Sequence, residues 1–480
     1  MAARLLHHVE IGVKNGLETV HKFIIRYKFR PVACRENDIS KQWLLLAGST
    51  RFVVTEAKKC WPSRSILYAG STFYATPCKL HNKSCQKGDD VSSDSKRTKL
   101  VASLQDSKEN SYDYICHWHS GQEQNTAIKA EDDSIAIGNS GVISTGLEHA
   151  DSVFNVALEV NNVADCVKRV SDNGGEIIRL PRTVRDDDGH VTYATIKSCV
   201  GNVLHTLIDS SNYRGVFLPG FSSVNCDQDL PFVNQAENCD DNKVTSPFQG
   251  IDHVAFALNR GYSRDVMKWY NKVFGMEKFK INRDEDEEEG FVLKGNNIGL
   301  RLRAMNYRSC HDQGDQSTGL KFVMAESLPH QGPNQVDTFL REHGGPGVQH
   351  IGLYSNNIID AVQSMAASGA SFMDTPPTYY SKVGKLEEIE SSGEDLDILQ
   401  KYGILLDSEA DGNVGTTEEE KYLMQVFTKP LFDHDTFFLE IIQRCGATGF
   451  GAGNISALWR SVEAFFQSKK KAKLQGDGSC

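Results

Sequence analysis

Three side chains in the second half of the sequence have the types and spacing to hold a metal ion: His253, His350 and Glu440. His253 lies in the run Ile251-Asp252-His253-Val254-Ala255-Phe256-Ala257-Leu258, and His350 in Val348-Gln349-His350-Ile351-Gly352-Leu353-Tyr354. Glu440 lies in Phe437-Phe438-Leu439-Glu440-Ile441-Ile442-Gln443-Arg444. Each run reads as a strand, so side chains alternate and Phe438, Glu440 and Ile442 share a face. A carboxylate amid such apolar residues is costly unless it is paired or bound to a cation. Two neutral imidazoles and one carboxylate on one face of a metal leave neighbouring positions open, the arrangement that suits a non-haem Fe(II) oxygenase. One anionic ligand leaves an Fe(II) site with a charge of about +1. A 2-oxo acid neutralises it through its carboxylate and keto oxygens and leaves the last position for O2. On these residues alone, zinc isomerase or lyase chemistry competes with iron oxygenase chemistry.

The elements that must position these ligands repeat. Four segments open with a short apolar strand, continue into a helix and return through several strands. The first begins at His7 to Val13, with a helix from Leu17 to Tyr27 and strands at Trp43 to Leu46 and Arg51 to Thr55. The second begins at Val153 to Val160, with a helix from Val163 to Asn173 and strands near Glu176, Thr192 and Val203 to Ile208. The third begins at Ile251 to Leu258, with its helix at Ser263 to Phe274, and the fourth at Val348 to Tyr354, with its helix at Ile358 to Ser368. Recurrence of one unit is a repeat signal. It predicts two domains, each a mixed sheet curled around a cavity, in residues 1–221 and 248–466, with a linker at 222–247 and a polar tail at 467–480. Helical spacing of Ile455, Leu458, Trp459, Val462, Phe465 and Phe466 predicts a C-terminal helix, expected to close the second cavity.

The repeat supplies an internal control. His8 aligns with His253, but Asn155 aligns with His350 and Thr206 with Glu440. Asn and Thr do not replace an imidazole and an anion, so the first domain is expected to be metal-free and structural.

The rest of the chain narrows the setting. A length of 480 residues suits two large domains, and 39% hydrophobic content suits an ordinary globular protein. A net charge of -11 argues against nucleic acid. No apolar run approaches the roughly 18 residues that span a membrane. The twelve cysteines include no C-x-x-C pair, which argues against a disulfide framework or zinc module. Pro77 to Gly146 is rich in Ser, Asn, Gln and Glu and reads as a disordered insertion, and Cys116, His117 and His119 within it read as solvated. The acidic run Asp284 to Glu289 reads as a solvated hairpin tip rather than a calcium loop. Met1 to Lys28 is mildly basic, as in a mitochondrial presequence, although part of it also reads as a strand.

Longer strings carry a resemblance. Gly345-Pro346-Gly347-Val348-Gln349-His350-Ile351, Leu423-Met424-Gln425-Val426-Phe427-Thr428-Lys429-Pro430, Gly449-Phe450-Gly451-Ala452-Gly453-Asn454 and Tyr213-Arg214-Gly215-Val216-Phe217-Leu218-Pro219-Gly220-Phe221 resemble the 4-hydroxyphenylpyruvate dioxygenase family. Met324-Ala325-Glu326-Ser327-Leu328-Pro329, Tyr402-Gly403-Ile404-Leu405-Leu406-Asp407 and Arg444-Cys445-Gly446-Ala447-Thr448-Gly449-Phe450 resemble a paralogous branch of it. The resemblance implies an α+β vicinal oxygen chelate (glyoxalase/bleomycin resistance/dioxygenase-like) fold, with four βαβββ-type units forming two open-barrel domains. It also implies one Fe(II) per chain on His253, His350 and Glu440, with 4-hydroxyphenylpyruvate or a similar aromatic 2-oxo acid and O2 as partners. By position it implies a pocket of Gln335, Gln349, Gln425, Phe427, Phe438, Phe450, Asn454 and Leu458. Gln349 adjoins His350 and would face away from it on a regular strand.

Two departures bear on the reaction. Lys321 replaces a family serine, and is expected either to bind an anionic or phenolic group or to extend into solvent. Ile455 replaces a phenylalanine that would press on the substrate ring, which favours benzylic hydroxylation to 4-hydroxymandelate over ring attack. The paralogous branch implies a mitochondrial protein feeding the ubiquinone head group, with a cytoplasmic location as the alternative. Three other readings stand beside this one: a homogentisate-forming dioxygenase, a zinc or manganese lyase of the same fold, and a non-catalytic ligand-binding paralogue. Oligomeric state is left open, a homodimer among the options.

Overall fold

The computed structural model describes residues 3–58, 151–224, 230, 246–282, 285–295, 298–307, 319–375, 377–381, 385–409, 421–451 and 453–455. The described residues all fall in one compact unit, Met1–Ala69 together with Ala136–Cys480. The expected insertion with Cys116, His117 and His119 lies outside the described residues, as do Asp284 and all but the first residues of the expected C-terminal helix.

The first half of the large unit follows β1 (Ala3–Val13), α1 (Gly16–Tyr27), β2 (Arg30–Glu36), β3 (Ser40–Ala47), β4 (Thr50–Ala57), β5 (Ser152–Val160), α2 (Val163–Asp172), β6 (Ile177–Asp186), β7 (Gly189–Lys197) and β8 (Leu204–Asp209). These are two βαβββ units in one sheet of order β6-β7-β8-β5-β1-β4-β3-β2-β9. The last strand, β9 (Ser222–Ser223), pairs with Ala33 and Cys34 at the free edge of β2. The first sheet therefore takes its edge from residues expected to be linker, because an open edge leaves backbone groups to be paired. Within the opening stretch, β1 is hydrogen-bonded between β4 and β5 at the sheet's centre.

The second half follows β10 (Gly250–Leu258), α3 (Ser263–Phe274), β11 (Glu277–Phe279), β12 (Phe291–Gly295), β13 (Ile298–Tyr307), β14 (Leu320–Ser327), α4 (Gln335–His343), β15 (Gly347–Tyr354), α5 (Ile358–Ala367), α6 (Lys385–Ser392), α7 (Leu396–Tyr402), β16 (Leu405–Ser408), β17 (Tyr422–Phe427) and β18 (Phe438–Cys445). Their sheet runs β11-β13-β14-β10-β15-β18-β17-β16, with β12 also on β13. Between β11 and β12, which both pair antiparallel with β13, Asp286 and Gly290 form an antiparallel bridge around an exposed acidic turn, so a solvated tip is present at Glu287–Glu289. Glu285, just before that turn, is buried and accepts from the Ile281 amide, so that carboxylate is not solvated.

Local chemistry explains the elements. In α1, Val20, Phe23, Ile24 and Tyr27 fall on one buried face, and the Asn15 side chain caps the helix by accepting from the Glu18 amide. Phe23 sets its ring edge against Phe52 of β4, and burial of such a ring contributes about 1.5–3 kcal/mol. At the start of α4, Asn334 and Asp337 form a reciprocal capping box. The two sheets meet at Tyr270 of α3, whose hydroxyl lies 2.9 Å from both Ser198 Oγ and His205 Nε2. No helix among the described residues is long and apolar enough to cross a membrane.

Candidate metal centre

Three adjacent strands carry the ligand candidates. β10, β15 and β18 are neighbours, with His253 opposite Gly352 and Gly352 opposite Glu440 in the hydrogen-bonding register. His350 stands two residues before Gly352, so it shares that face. Gly352 is thus the hub of the site, and its lack of a side chain is required. A Cβ there would stand 2.4 Å from Cε1 of the His253 ring.

The ligand atoms converge. His253 Nε2 and His350 Nε2 are 3.3 Å apart, and Glu440 Oε2 is 3.2 Å from the first and 3.4 Å from the second. Among the described residues this is the group of His, Cys, Asp and Glu side chains placed to hold a metal ion, all its ligand atoms lying within 4.8 Å of one another. Each is fixed from behind. The Asp252 carboxylate lies 2.9 Å from His253 Nδ1, which directs Nε2 toward the centre. Gln425 Nε2 donates to Glu440 Oε1 at 2.7 Å and leaves Oε2 for the cation. His350 has no hydrogen bond on its buried Nδ1, and its ring instead stacks on Phe438 at 4.8 Å.

Electrostatics fit a cation. Burial opposes charge on His253, yet Glu440 and Asp252 outweigh it and raise its pKa to about 9. Burial alone would also raise Glu440, but the two imidazoles bring it down to about 2. His350 is lowered, chiefly by burial, with Glu440 offsetting part of the effect. A charged carboxylate facing one protonated and one neutral imidazole is a site that already stabilises positive charge. The donor set of two ring nitrogens and one carboxylate oxygen fits Fe(II).

Behind His253 lies a salt-bridge network that sequence reasoning missed. Arg444 binds Asp252 with both prongs, Nε to Oδ2 at 2.8 Å and Nη2 to Oδ1 at 2.9 Å. Burial would raise the Asp252 pKa, but Arg444, His253 and Lys321 hold it well below the carboxylate range. Lys321 does not extend into solvent, and the anionic group beside it belongs to the protein itself. It is buried, does not line the cavity, and its Nζ is 3.6 Å from Asp252 Oδ2. An acid immediately before His253 was the signal available in the sequence.

The cavity beside the triad has an empty volume of about 580 Å3. Gln335, Gln349, Gln425, Phe427, Phe438, Phe450 and Ile455 all line it, together with Ala255, Ile281, Leu300, Leu302, Val323 and Ala325, which the sequence did not single out. Gln349 and His350 both face it because β15 is bulged: Ala255 pairs with His350 and Phe256 with Val348, so Gln349 is the extra residue and its side chain is re-aimed. Asn454 departs from expectation. It is fully buried behind the wall, donating to Gln425 Oε1 at 3.2 Å and accepting from the Tyr379 hydroxyl at 2.7 Å. Leu458 lies outside the described residues.

The chain resembles known proteins over most of its length. Residues 250–387 match the model of the Glyoxalase/Bleomycin resistance protein/Dioxygenase superfamily. A 4-hydroxyphenylpyruvate dioxygenase-like protein of Rattus norvegicus is 37% identical over 329 residues, 68% of this chain and 79% of the relative. A 4-hydroxyphenylpyruvate dioxygenase of Dictyostelium discoideum is 31% identical over 346 residues, 71% of this chain and 84% of the relative. Among solved structures, a variant of 4-hydroxymandelate synthase from Streptomyces coelicolor superposes with a TM-score of 0.63 at 20% identity, covering 97% of this chain and 99% of that one. That likeness shows the shared fold.

Proposed function

Since this chain belongs to the 4-hydroxyphenylpyruvate dioxygenase family, we propose that it is an Fe(II)-dependent oxygenase of an aromatic 2-oxo acid. The observation that carries the reading is the convergence of His253, His350 and Glu440 at the end of a largely apolar, aromatic-walled cavity. Fe(II) on these three residues would supply the activation of O2 and the oxidative decarboxylation of the 2-oxo acid.

The chain's own residues supply position and dryness. Asp252 and Gln425 hold His253 and Glu440 from behind, so the open side of the centre faces the cavity. Phe427 and Phe438 offer flat walls to an aromatic ring, and Phe450 closes on the His253 ring edge at 5.2 Å. The amides of Gln335 and Gln349 are the polar groups in reach of a phenol or carboxylate; Gln335 Oε1 is buried without a hydrogen bond from the protein. Ala255, Ile281, Leu302 and Val323 exclude water from the reacting end.

The finer reading is that 4-hydroxyphenylpyruvate and O2 give 4-hydroxymandelate and CO2. Support comes from Ile455, which lines the cavity where the family resemblance implies a phenylalanine, and so leaves the ring free to turn its benzylic carbon toward the metal. A mitochondrial location and a role in ubiquinone head-group synthesis belong to the same proposal. The decisive experiment loads the metal-free chain with Fe(II) under anaerobic conditions, adds 4-hydroxyphenylpyruvate and O2, and identifies the product by mass and chromatography. 4-Hydroxymandelate is the expected product. Homogentisate would replace the finer reading with ring hydroxylation, and metal-dependent turnover without O2 uptake would overturn the oxygenase reading altogether.

A further inference from the structure

The first sheet encloses a cavity of its own, with an empty volume of about 580 Å3, on the face that corresponds to the metal-bearing face of the second. Strands from both arms of the sheet line it: Arg35 from β2 and Gln42 from β3 on one side, Tyr193 and Thr195 from β7 on the other. Its size falls in the range of small-molecule sites.

The polar groups inside divide into a saturated part and an open part. Glu10 is saturated. Its Oε1 accepts from Gln42 Nε2 at 2.7 Å and from Thr55 Oγ1 at 2.6 Å, and its Oε2 accepts from Asn155 Nδ2 at 3.2 Å. Arg35 is open. Its Nε and Nη2 donate to Gln42 Oε1 at 2.9 and 2.6 Å and its Nη1 donates to Pro219 O at 3.3 Å, which leaves the remaining guanidinium N–H groups without an acceptor among the described residues. The guanidinium Cζ lies over the Phe221 ring, 4.4 Å from its centre. The Tyr193 ring is largely buried, and its hydroxyl, which makes no hydrogen bond with any described residue, belongs to the cavity lining. The Tyr193 hydroxyl and the unspent guanidinium donors on one cavity are available to a guest that accepts from both.

We infer that this cavity is a second ligand site that binds a small aromatic carboxylate. The carboxylate accepts from the free N–H groups of Arg35 and from the Tyr193 hydroxyl, and the ring lies among Phe217, Val53, Val191 and Ile208. Two cations act on this part of the sheet, with the Glu10 carboxylate beside Arg35 as the opposing charge. After burial and the neighbouring His7, the groups that lower the His8 pKa are Arg51 and Arg35. The inference does not depend on the metal centre, because none of these residues belongs to it.

The test is a calorimetric titration of the full chain, freed of metal by chelation, with phenylacetate and with 2-phenylethanol as the uncharged counterpart. Phenylacetate is expected to bind, and 2-phenylethanol to bind roughly tenfold more weakly or worse. Tyr193→Phe, which keeps shape and removes only the hydroxyl, is expected to weaken phenylacetate severalfold, and Arg35→Gln about tenfold or more. His350→Ala is expected to leave the affinity unchanged. Absence of binding to the wild-type chain, equal affinity for the two probes, indifference to Tyr193→Phe, or loss of binding in His350→Ala would each overturn the assignment.

Discussion

The two sheets repeat one design down to the irregularities of their central strands, and differ in the side chains placed on it. In the second sheet His253 pairs with Gly352, Ala255 with His350, and the bulged residues are Asp252 and Gln349. In the first sheet His8 pairs with Ala157, Glu10 with Asn155, and the bulged residues are Arg4, His7 and Phe154, of which the last two match those of the second sheet. The parallel strands match too: Gly352 with Glu440, and Asn155 with Leu204, which puts Thr206 level with Glu440. Each aligned position then tells its own story. Asp252 orients His253, whereas His7 sits with its Nδ1 2.8 Å from that of His8. Gly352 makes room for an imidazole, whereas its counterpart is Ala157. The carboxylate of the first sheet, Glu10, stands at the position of Ala255, spent on amides and a hydroxyl. The lesson is that a metal centre needs more than its ligands: an acid behind one imidazole, a missing side chain beside it, and a carboxylate with one oxygen left free.

The comparison breaks most sharply at a ligand. His350→Ala is expected to lower Fe(II) affinity on the order of a thousandfold and to reduce oxygen uptake to background. The matching change in the first sheet, Asn155→Ala, is expected to leave metal content unchanged by elemental analysis. Equal metal content in both variants would move the centre elsewhere. The next largest effect is expected at the hub. Gly352→Ala puts a methyl group 2.4 Å from a His253 ring atom, so the imidazole must move. Displacement of that kind costs on the order of a hundredfold in turnover. Ala157 at the equivalent place shows that the backbone there accepts a Cβ, so circular dichroism should report a folded protein.

Asp252→Asn sharpens the same contrast from behind. It keeps the shape and removes the anion that fixes the His253 tautomer and meets Arg444 and Lys321. Metal affinity is expected to fall about 10- to 100-fold, as for other acids behind a ligating histidine. An unchanged dissociation constant for Fe(II) would reduce Asp252 to a purely structural ion pair.

How much of this is legible in the sequence follows from range. His253, His350 and Glu440 are legible because each interrupts an apolar strand run, and the unit repeat marks two of them as equivalent. Helix α3 is legible to the residue, since its apolar spacing ends at Gly275, which closes it in the left-handed conformation. The orientation of Gln349, which the resemblance puts in the pocket, is not legible from strand alternation, because a bulge exists only in the register between two strands and leaves no mark on one of them. The place of Lys321 is hidden for a like reason: its partner Asp252 lies 69 positions away, on a neighbouring strand of the sheet. That Arg35 and Tyr193 line one cavity is hidden further still, since it needs the sheet to curl until β2 and β7 share it.

The last contrast lies one residue before Glu440 and Thr206, where the second sheet has Leu439 and the first has His205. His205 is wholly buried, with Nδ1 2.8 Å from Val156 O and Nε2 2.9 Å from the Tyr270 hydroxyl across the junction of the sheets. Burial, offset in part by the hydrogen bond with Val156, lowers its pKa from 6.5 to about 4. The unfolded chain therefore takes up this proton first as the solution is acidified. The stability that His205 contributes in its neutral form is whole above pH 6.5 and is lost as the pH falls toward 4, about 2 kcal/mol of it by pH 5. His205→Leu, the residue of the other sheet, is expected to flatten that part of the stability-against-pH curve in urea unfolding. At neutral pH it is expected to cost about 1 kcal/mol for the hydrogen bonds it removes, while metal affinity stays as it was. A variant as acid-sensitive as the wild type over that interval would assign the loss to other groups and leave His205 a packing residue like its counterpart.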